Sequence, residues 1–304
     1  MDANFKEGFW RLADPKISIT SAASMTIGAS LAADHPDFSW LWVLIAALAF
    51  FCMEVAKNAW GDVYDYDSGT DLAVAPEDRT SFSGGKRVMV DHILSRRQTW
   101  GIAIGFGLSG IALGAVMVFF REPSVFWIGV VGLILGWSYH GPPFQLVYRG
   151  FGELDVVFCY GPIIAIATYM LMTHQFDMVV LWLSLPLGIF IAAFLWVNEF
   201  PDFFADRSAG KNNLVVRLGK QSASRALPLI YLTGFLLLLF IPVLTDLTKW
   251  VWLGFLALVP ALAAMIWCWS DPETFHRHRP VQVMALLTFV LYSVNVALGV
   301  LLGW

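Results

Sequence analysis

Nine long apolar stretches punctuate the chain, at about 17–33, 38–60, 99–120, 124–140, 154–173, 178–200, 224–245, 250–269 and 281–303. A helix needs roughly 20 mainly apolar residues to cross the hydrocarbon core of a bilayer, and each stretch reaches or approaches that length. Backbone groups inside a membrane must be satisfied within the segment, so the pattern predicts helices. The expected fold is all-α, a bundle of about nine transmembrane helices. The longest polar stretches, about 61–98 and 201–223, mix helix-like and loop-like residues and give no sign of a second domain, so residues 1–304 read as one domain.

Composition strengthens the membrane reading. The chain is 58% hydrophobic and 14% charged, with a mean hydropathy of +0.67, whereas soluble domains carry about 25% charged residues. A net charge of −4 gives no reason to expect a nucleic acid partner. Cys52, Cys159 and Cys268 fall singly in apolar stretches, which predicts free thiols rather than a disulfide or zinc framework. The opening MDANFKEGFWRLADPK lacks the short apolar core of a removable signal peptide.

The nine-span frame puts 17 of the 19 lysines and arginines on one side, counting Lys57 at a helix end; Arg121 and Lys249 lie on the other. Cytoplasmic loops carry the excess of basic residues, so the N-terminus is expected inside, in a cell inner membrane. Two acidic stretches follow the second and sixth spans on that same side. In NAWGDVYDYDSGTD, Asn58 stands four residues before Asp62, and Asp65 three after it. In NEFPDFFAD, Asn198, Asp202 and Asp206 repeat at i, i+4 and i+8. Each set shares one face of a helix. Clustered carboxylates with no Cys or His among them suit a hard divalent cation such as Mg²⁺, which takes one or two carboxylates together with water and phosphate oxygens. A solvated helix end explains one such cluster, but two matched clusters on one side point to a shared task. Basic residues follow each: Arg79, Lys86 and Arg87 around a Gly-Gly turn, then Lys211 and Arg217. Metal-binding acids beside fixed cations predict a diphosphate site at the cytoplasmic surface. A transporter is disfavoured, because the mid-span regions read as almost free of ionisable residues.

These motifs resemble those of the UbiA superfamily of intramembrane prenyltransferases, along essentially the whole chain and most of all its dihydroxynaphthoate branch. Asp62, Asp65, Gly69 and Asp71 fall in the register of that family's first motif, with Gly61 where the family has Asn; Asn58, one turn earlier, is a candidate substitute. Asp202, Asp206, Gly210, Lys211, Arg217, Leu218 and Gly219 match the second motif and its tail. YHGPPFQLVYRGFGEL at 139–154 is similar to the branch's loop between spans four and five, with Gln145 where relatives often carry Lys.

The resemblance implies a Mg²⁺-dependent enzyme holding two Mg²⁺ ions, with Asp62, Asp65, Asp202, Asp206, Asn58 and Asn198 as metal ligands. Arg79, Lys86, Arg87 and Lys211 become candidates for binding diphosphate. Tyr139 is the preferred aromatic face for an allylic cation, and Lys16 and Arg149 are candidates for an acidic acceptor. The implied partners are a prenyl diphosphate, an aromatic acceptor and membrane lipid. The implied reaction is polyprenyl transfer to a hydroxylated ring such as 1,4-dihydroxy-2-naphthoate. A benzoate, homogentisate or glycerol phosphate ether acceptor, or cyclisation without an acceptor, also fits these residues. Asp65 or Glu153 could take the ring proton, while Glu199 and His140 are site-lining residues without an assigned task.

Overall fold

The computed structural model describes residues 3–303, which are mostly helical with no strand among them. An N-terminal amphipathic helix α1 (Ala3–Ala13) precedes α2 (Ser18–Leu31), α3 (Trp40–Asp67), α4 (Arg96–Phe120) and α5 (Val125–His140). Then come α6 (Gly152–Thr173), α7 (Met178–Ser208), α8 (Lys220–Leu244), α9 (Lys249–Ser270) and α10 (Val281–Gly303). Each apolar stretch has thus become a helix, and seven of these are long and apolar enough to cross a membrane. The other two are shorter: α5 has 16 residues and α2 has 14.

Helix α2 is short, and its sequence, SITSAASMTIGASL, is rich in small residues suited to contact with protein rather than lipid. Small residues let helix backbones approach closely in a membrane. A Cβ at Gly28 would lie 2.3 Å from the Ala165 carbonyl oxygen of α6, and Ser293 of α10 donates to the Ala23 carbonyl at 2.7 Å. Around α7, Phe190 packs against Tyr231, Phe235 and Tyr292, and the Tyr292 hydroxyl donates to the Leu183 carbonyl at 2.8 Å. The outer sides of α4, α8 and α9 expose Leu, Ile, Val and Phe, as a lipid-facing surface does.

Three features depart from the expected pattern. Helix α3 continues to Asp67 and α7 to Ser208, so both acidic motifs lie in the last turns of long helices. Lys57 is not at a helix end but ten residues before one. With Glu54 at the middle of α3 and Asp155 on α6, it places ionisable groups inside the bundle, where the hydropathy pattern suggested almost none. Finally, α6 carries a π-helical turn at Cys159–Ile163, with Pro162 inside it. Such turns are rare and often sit at functional sites; this one carries Tyr160. All three cysteines are free.

Candidate active site

Each acidic motif ends a helix, and the tertiary fold brings the two ends together on one face of the bundle. The joint is Lys211, from the loop after α7. Its ammonium lies 3.3 Å from both oxygens of Asp65 on α3 and 3.7 Å from Asp206 on α7. Burial works against that ammonium, but Asp206 and Asp65 outweigh it and hold the Lys211 pKa well above its ordinary value. The loop itself is fixed by its polar side chains. Asn213 donates to Asp206 Oδ2 at 2.8 Å while its own Oδ1 accepts from the Val216 N–H, capping the short helix Leu214–Leu218. The Leu214 N–H donates to Glu153 at 2.6 Å.

The stretch between α3 and α4 folds over the same place. Gly84 and Gly85 have φ of +91° and +75°, values that glycine adopts without strain. The Gly84 N–H donates to Asp202 Oδ2 at 3.2 Å, and a Cβ at Gly85 would fall 2.2 Å from an Asp71 oxygen, so only glycine fits. Burial first, and then the charges of Asp65 and Asp62, push the Asp71 carboxyl up to about 9.

The donor set fits Mg²⁺. Asp62 is buried facing the backbone of Arg87 and Val88 without a hydrogen bond of normal geometry to either oxygen. Asp71 Oδ2 and Asp202 Oδ1 are likewise buried without a hydrogen bond, and Asp206 Oδ1 has only the Lys211 ammonium at 3.7 Å. Buried carboxylate oxygens are normally satisfied, so this many orphans on one face call for cations beyond Lys211. Among the described residues no three His, Cys, Asp or Glu side chains close into a cage for a metal. Mg²⁺ does not need one, because water and substrate phosphate complete its shell.

Two cavities meet here. A polar one of about 170 Å³ is lined by Asn198, Glu199, Asp202, Asp206, Lys211 and Asn213. An apolar one of about 360 Å³ runs between α3, α4, α5 and α6. Lys57, Tyr139, Val156 and Tyr160 line both and form the neck between them. The Lys57 ammonium sits 4.7 Å from the centre of the Tyr139 ring. In shape and polarity the two cavities suit a molecule with an anionic head and an apolar tail.

Of the residues the sequence singled out, Asp202, Asp206, Asn198, Lys211 and Tyr139 line the polar cavity, and Asp65 joins them through Lys211. Asn198 Oδ1 accepts from Gln282 at 2.9 Å, and Asn58 donates to the Leu12 carbonyl at 2.9 Å. The other basic candidates hold loops. Lys86 pairs with Asp14, Arg87 donates to the Asp71 carbonyl at 2.8 Å and pairs with Asp91, and Arg79 reaches the Val74 carbonyl at 3.4 Å. Lys16 donates to the Ser81 carbonyl at 2.6 Å and Arg149 to the Pro143 carbonyl at 3.1 Å; neither lines the polar cavity. Lys57 and Asn213 escaped the sequence reading. Asn213 had a local signal, a helix-capping residue ahead of LVVRL, whereas Lys57 had none beyond being a charge in an apolar run.

The sequence profile of the UbiA prenyltransferase family matches residues 22–290. A 1,4-dihydroxy-2-naphthoate octaprenyltransferase of Bacillus subtilis is 24% identical over 261 residues, covering 84% of this chain and 80% of the relative. Among solved structures, the apo form of a UbiA homologue from Aeropyrum pernix K1 superposes with a TM-score of 0.71 at 17% identity, over 92% of this chain and 97% of that one. A UbiA homologue from Archaeoglobus fulgidus bound to GPP and Mg²⁺ superposes at 0.63 and 14% identity, over 95% and 99%. These likenesses extend to the fold, and the profile covers most of the chain: it is a multi-pass membrane enzyme belonging to the UbiA prenyltransferase family.

Proposed function

We propose that this single-domain enzyme transfers a polyprenyl group from an allylic prenyl diphosphate to a hydroxylated aromatic acid, 1,4-dihydroxy-2-naphthoate, with its active site facing the cytoplasm. The observation that carries this reading is the polar, carboxylate-rich cavity that shares Lys57, Tyr139, Val156 and Tyr160 with an apolar cavity twice its size. The acceptor follows from the kinship with the Bacillus subtilis naphthoate enzyme, and the side from the basic loops flanking the motifs.

Asp62 and Asp65 at one helix end, and Asp202 and Asp206 at the other, would hold two Mg²⁺ ions against the diphosphate; when bound, these supply Lewis-acid stabilisation of the leaving oxygen. Lys211 sets fixed positive charge beside that head, and the Gly84–Lys86 turn steadies Asp202 through the Gly84 N–H. The tail lies in the apolar cavity, which puts the allylic carbon at the neck. There the Tyr139 and Tyr160 rings offer faces that stabilise positive charge, and the bundle excludes water. As the C–O bond breaks, its electrons leave with the diphosphate. The acceptor ring then supplies the pair for the new C–C bond and gives up its proton to a base. Lys57, at the neck, is placed to meet the acceptor's carboxylate.

The test is to incubate purified protein with labelled prenyl diphosphates and Mg²⁺, with and without 1,4-dihydroxy-2-naphthoate. Prenylated naphthoate, lost in Asp62→Ala, Asp65→Ala, Asp202→Ala and Asp206→Ala, is expected. A hydrocarbon product formed without any acceptor would replace transfer with cyclisation.

A further inference from the structure

The first acidic motif departs from its family pattern at Gly61, and the structure shows what fills the gap. Gly61 lies one helical turn before Asp65, on the same face of α3. A Cβ there would stand 2.8 Å from His140 Cε1, 3.1 Å from Nδ1 and 3.5 Å from Nε2, so the imidazole occupies the space a side chain at position 61 would need. His140 ends α5, is buried, and packs edge-on against Tyr139, with 4.8 Å between ring centres.

Its nitrogens differ. Nδ1 is buried without a partner, while Nε2 lies 3.7 Å from Asp65 Oδ2. A neutral imidazole carries one proton, which belongs on the nitrogen facing an acceptor, here Nε2. Lys211 reaches both oxygens of Asp65, and Tyr148 reaches Oδ1 at 3.4 Å. His140 completes the set on the Oδ2 side.

We propose that His140 takes the place of the side chain missing at Gly61 and acts as the positioning residue that orients Asp65 for the cation. Glycine at 61 and histidine at 140 are then one device: either residue alone would produce a collision or a void beside the same carboxylate. The inference rests on Asp65 serving the Mg²⁺ site proposed above.

A four-way comparison tests it: wild type, Gly61→Asn, His140→Ala and the double variant, with His140→Gln as the donor-retaining control. Two quantities are read, the thermal midpoint of detergent-purified protein in EDTA and the Mg²⁺ concentration giving half-maximal turnover. Losing a group that orients a metal ligand typically weakens metal affinity by about 10- to 100-fold. His140→Ala and Gly61→Asn are each expected to raise the half-saturating Mg²⁺ about tenfold or more and to lower the midpoint. The double variant should return to within about threefold of wild type and recover most of the lost midpoint, with His140→Gln closer to wild type than His140→Ala. If a single variant cannot be purified folded, the double variant decides, since its folding and near-normal Mg²⁺ requirement support the exchange. An unchanged Mg²⁺ requirement in His140→Ala, or a double variant no better than the worse single one, overturns the inference while leaving the proposed function standing. Wild-type turnover that ignores Mg²⁺ overturns both.

Discussion

Replacing Lys211 by Met removes an ammonium that touches both acidic motifs, and its effect can be worked from the distances. The ammonium stands 3.3 Å from Asp65 and 3.7 Å from Asp206, with all three side chains largely buried. At an effective dielectric of about 20, a unit pair near 3.5 Å attracts by roughly 5 kcal/mol. Lost hydration offsets much of that gain. Leaving a buried charge without its partner typically costs about 3–5 kcal/mol, and here two carboxylates lose their shared cation at once, keeping Asn213 and Tyr148 as neutral donors. For a chain of this size each kcal/mol moves the melting midpoint by roughly 2 °C, so metal-free Lys211→Met should melt roughly 6–10 °C below wild type. Mg²⁺ supplies cations to the same carboxylates, and saturating Mg²⁺ should shrink the gap to less than half. Turnover should fall by about 10²–10³, the usual effect of removing one group that stabilises leaving-group charge. The assay is thermal unfolding in detergent with EDTA or Mg²⁺, together with release of labelled diphosphate. A midpoint deficit of the same size with and without Mg²⁺ would show that Lys211 merely ties two loops together, and no deficit at all would refute the electrostatic reasoning.

Other positions give independent checks. Lys57→Met should raise the KM for an aromatic acid acceptor about tenfold or more while leaving the prenyl diphosphate KM within about twofold, as expected for a charged hydrogen bond to one substrate only; the opposite pattern would move Lys57 to the diphosphate. Gly132→Leu places a branched side chain in the apolar cavity beside Ile163 and should shift preference towards shorter prenyl diphosphates, measured by competition between chain lengths. Outside the two acidic motifs, Asp78 accepts from His276 at 2.8 Å and Arg277 at 2.7 Å. Burial raises its carboxyl, but those two partners outweigh burial and hold the pKa below its ordinary 3.8. Its stabilising contribution is therefore complete above pH 3.8 and lost as the pH falls through the lowered folded value. Asp78→Asn should flatten that acid limb of a midpoint-against-pH curve, and an unchanged limb would assign acid sensitivity to other groups.

Hydropathy and local spacing are properties of neighbouring residues, so the sequence by itself determined the helical class, the apolar segments and the one-face pairing of Asp202 with Asp206. It also showed that Gly84 and Gly85 form a turn, because positive φ is a local demand. Partnership is not local. Arg87 and Lys86 look like anion ligands in a chain of letters, yet the fold gives them Asp71, Asp91 and Asp14 to hold. Lys57 reads as one charge near the end of an apolar run; the extension of α3 to Asp67 and the packing of α6 beside it turn that charge into part of the neck between two cavities. Only tertiary structure decided that Asp65 and Asp206, 141 positions apart in the chain, share one ammonium, and that His140 fills the hollow over Gly61. Burial raises the cost of every unpaired charge, so which groups end up as neighbours is settled by how the helices pack rather than by the order in which they are written.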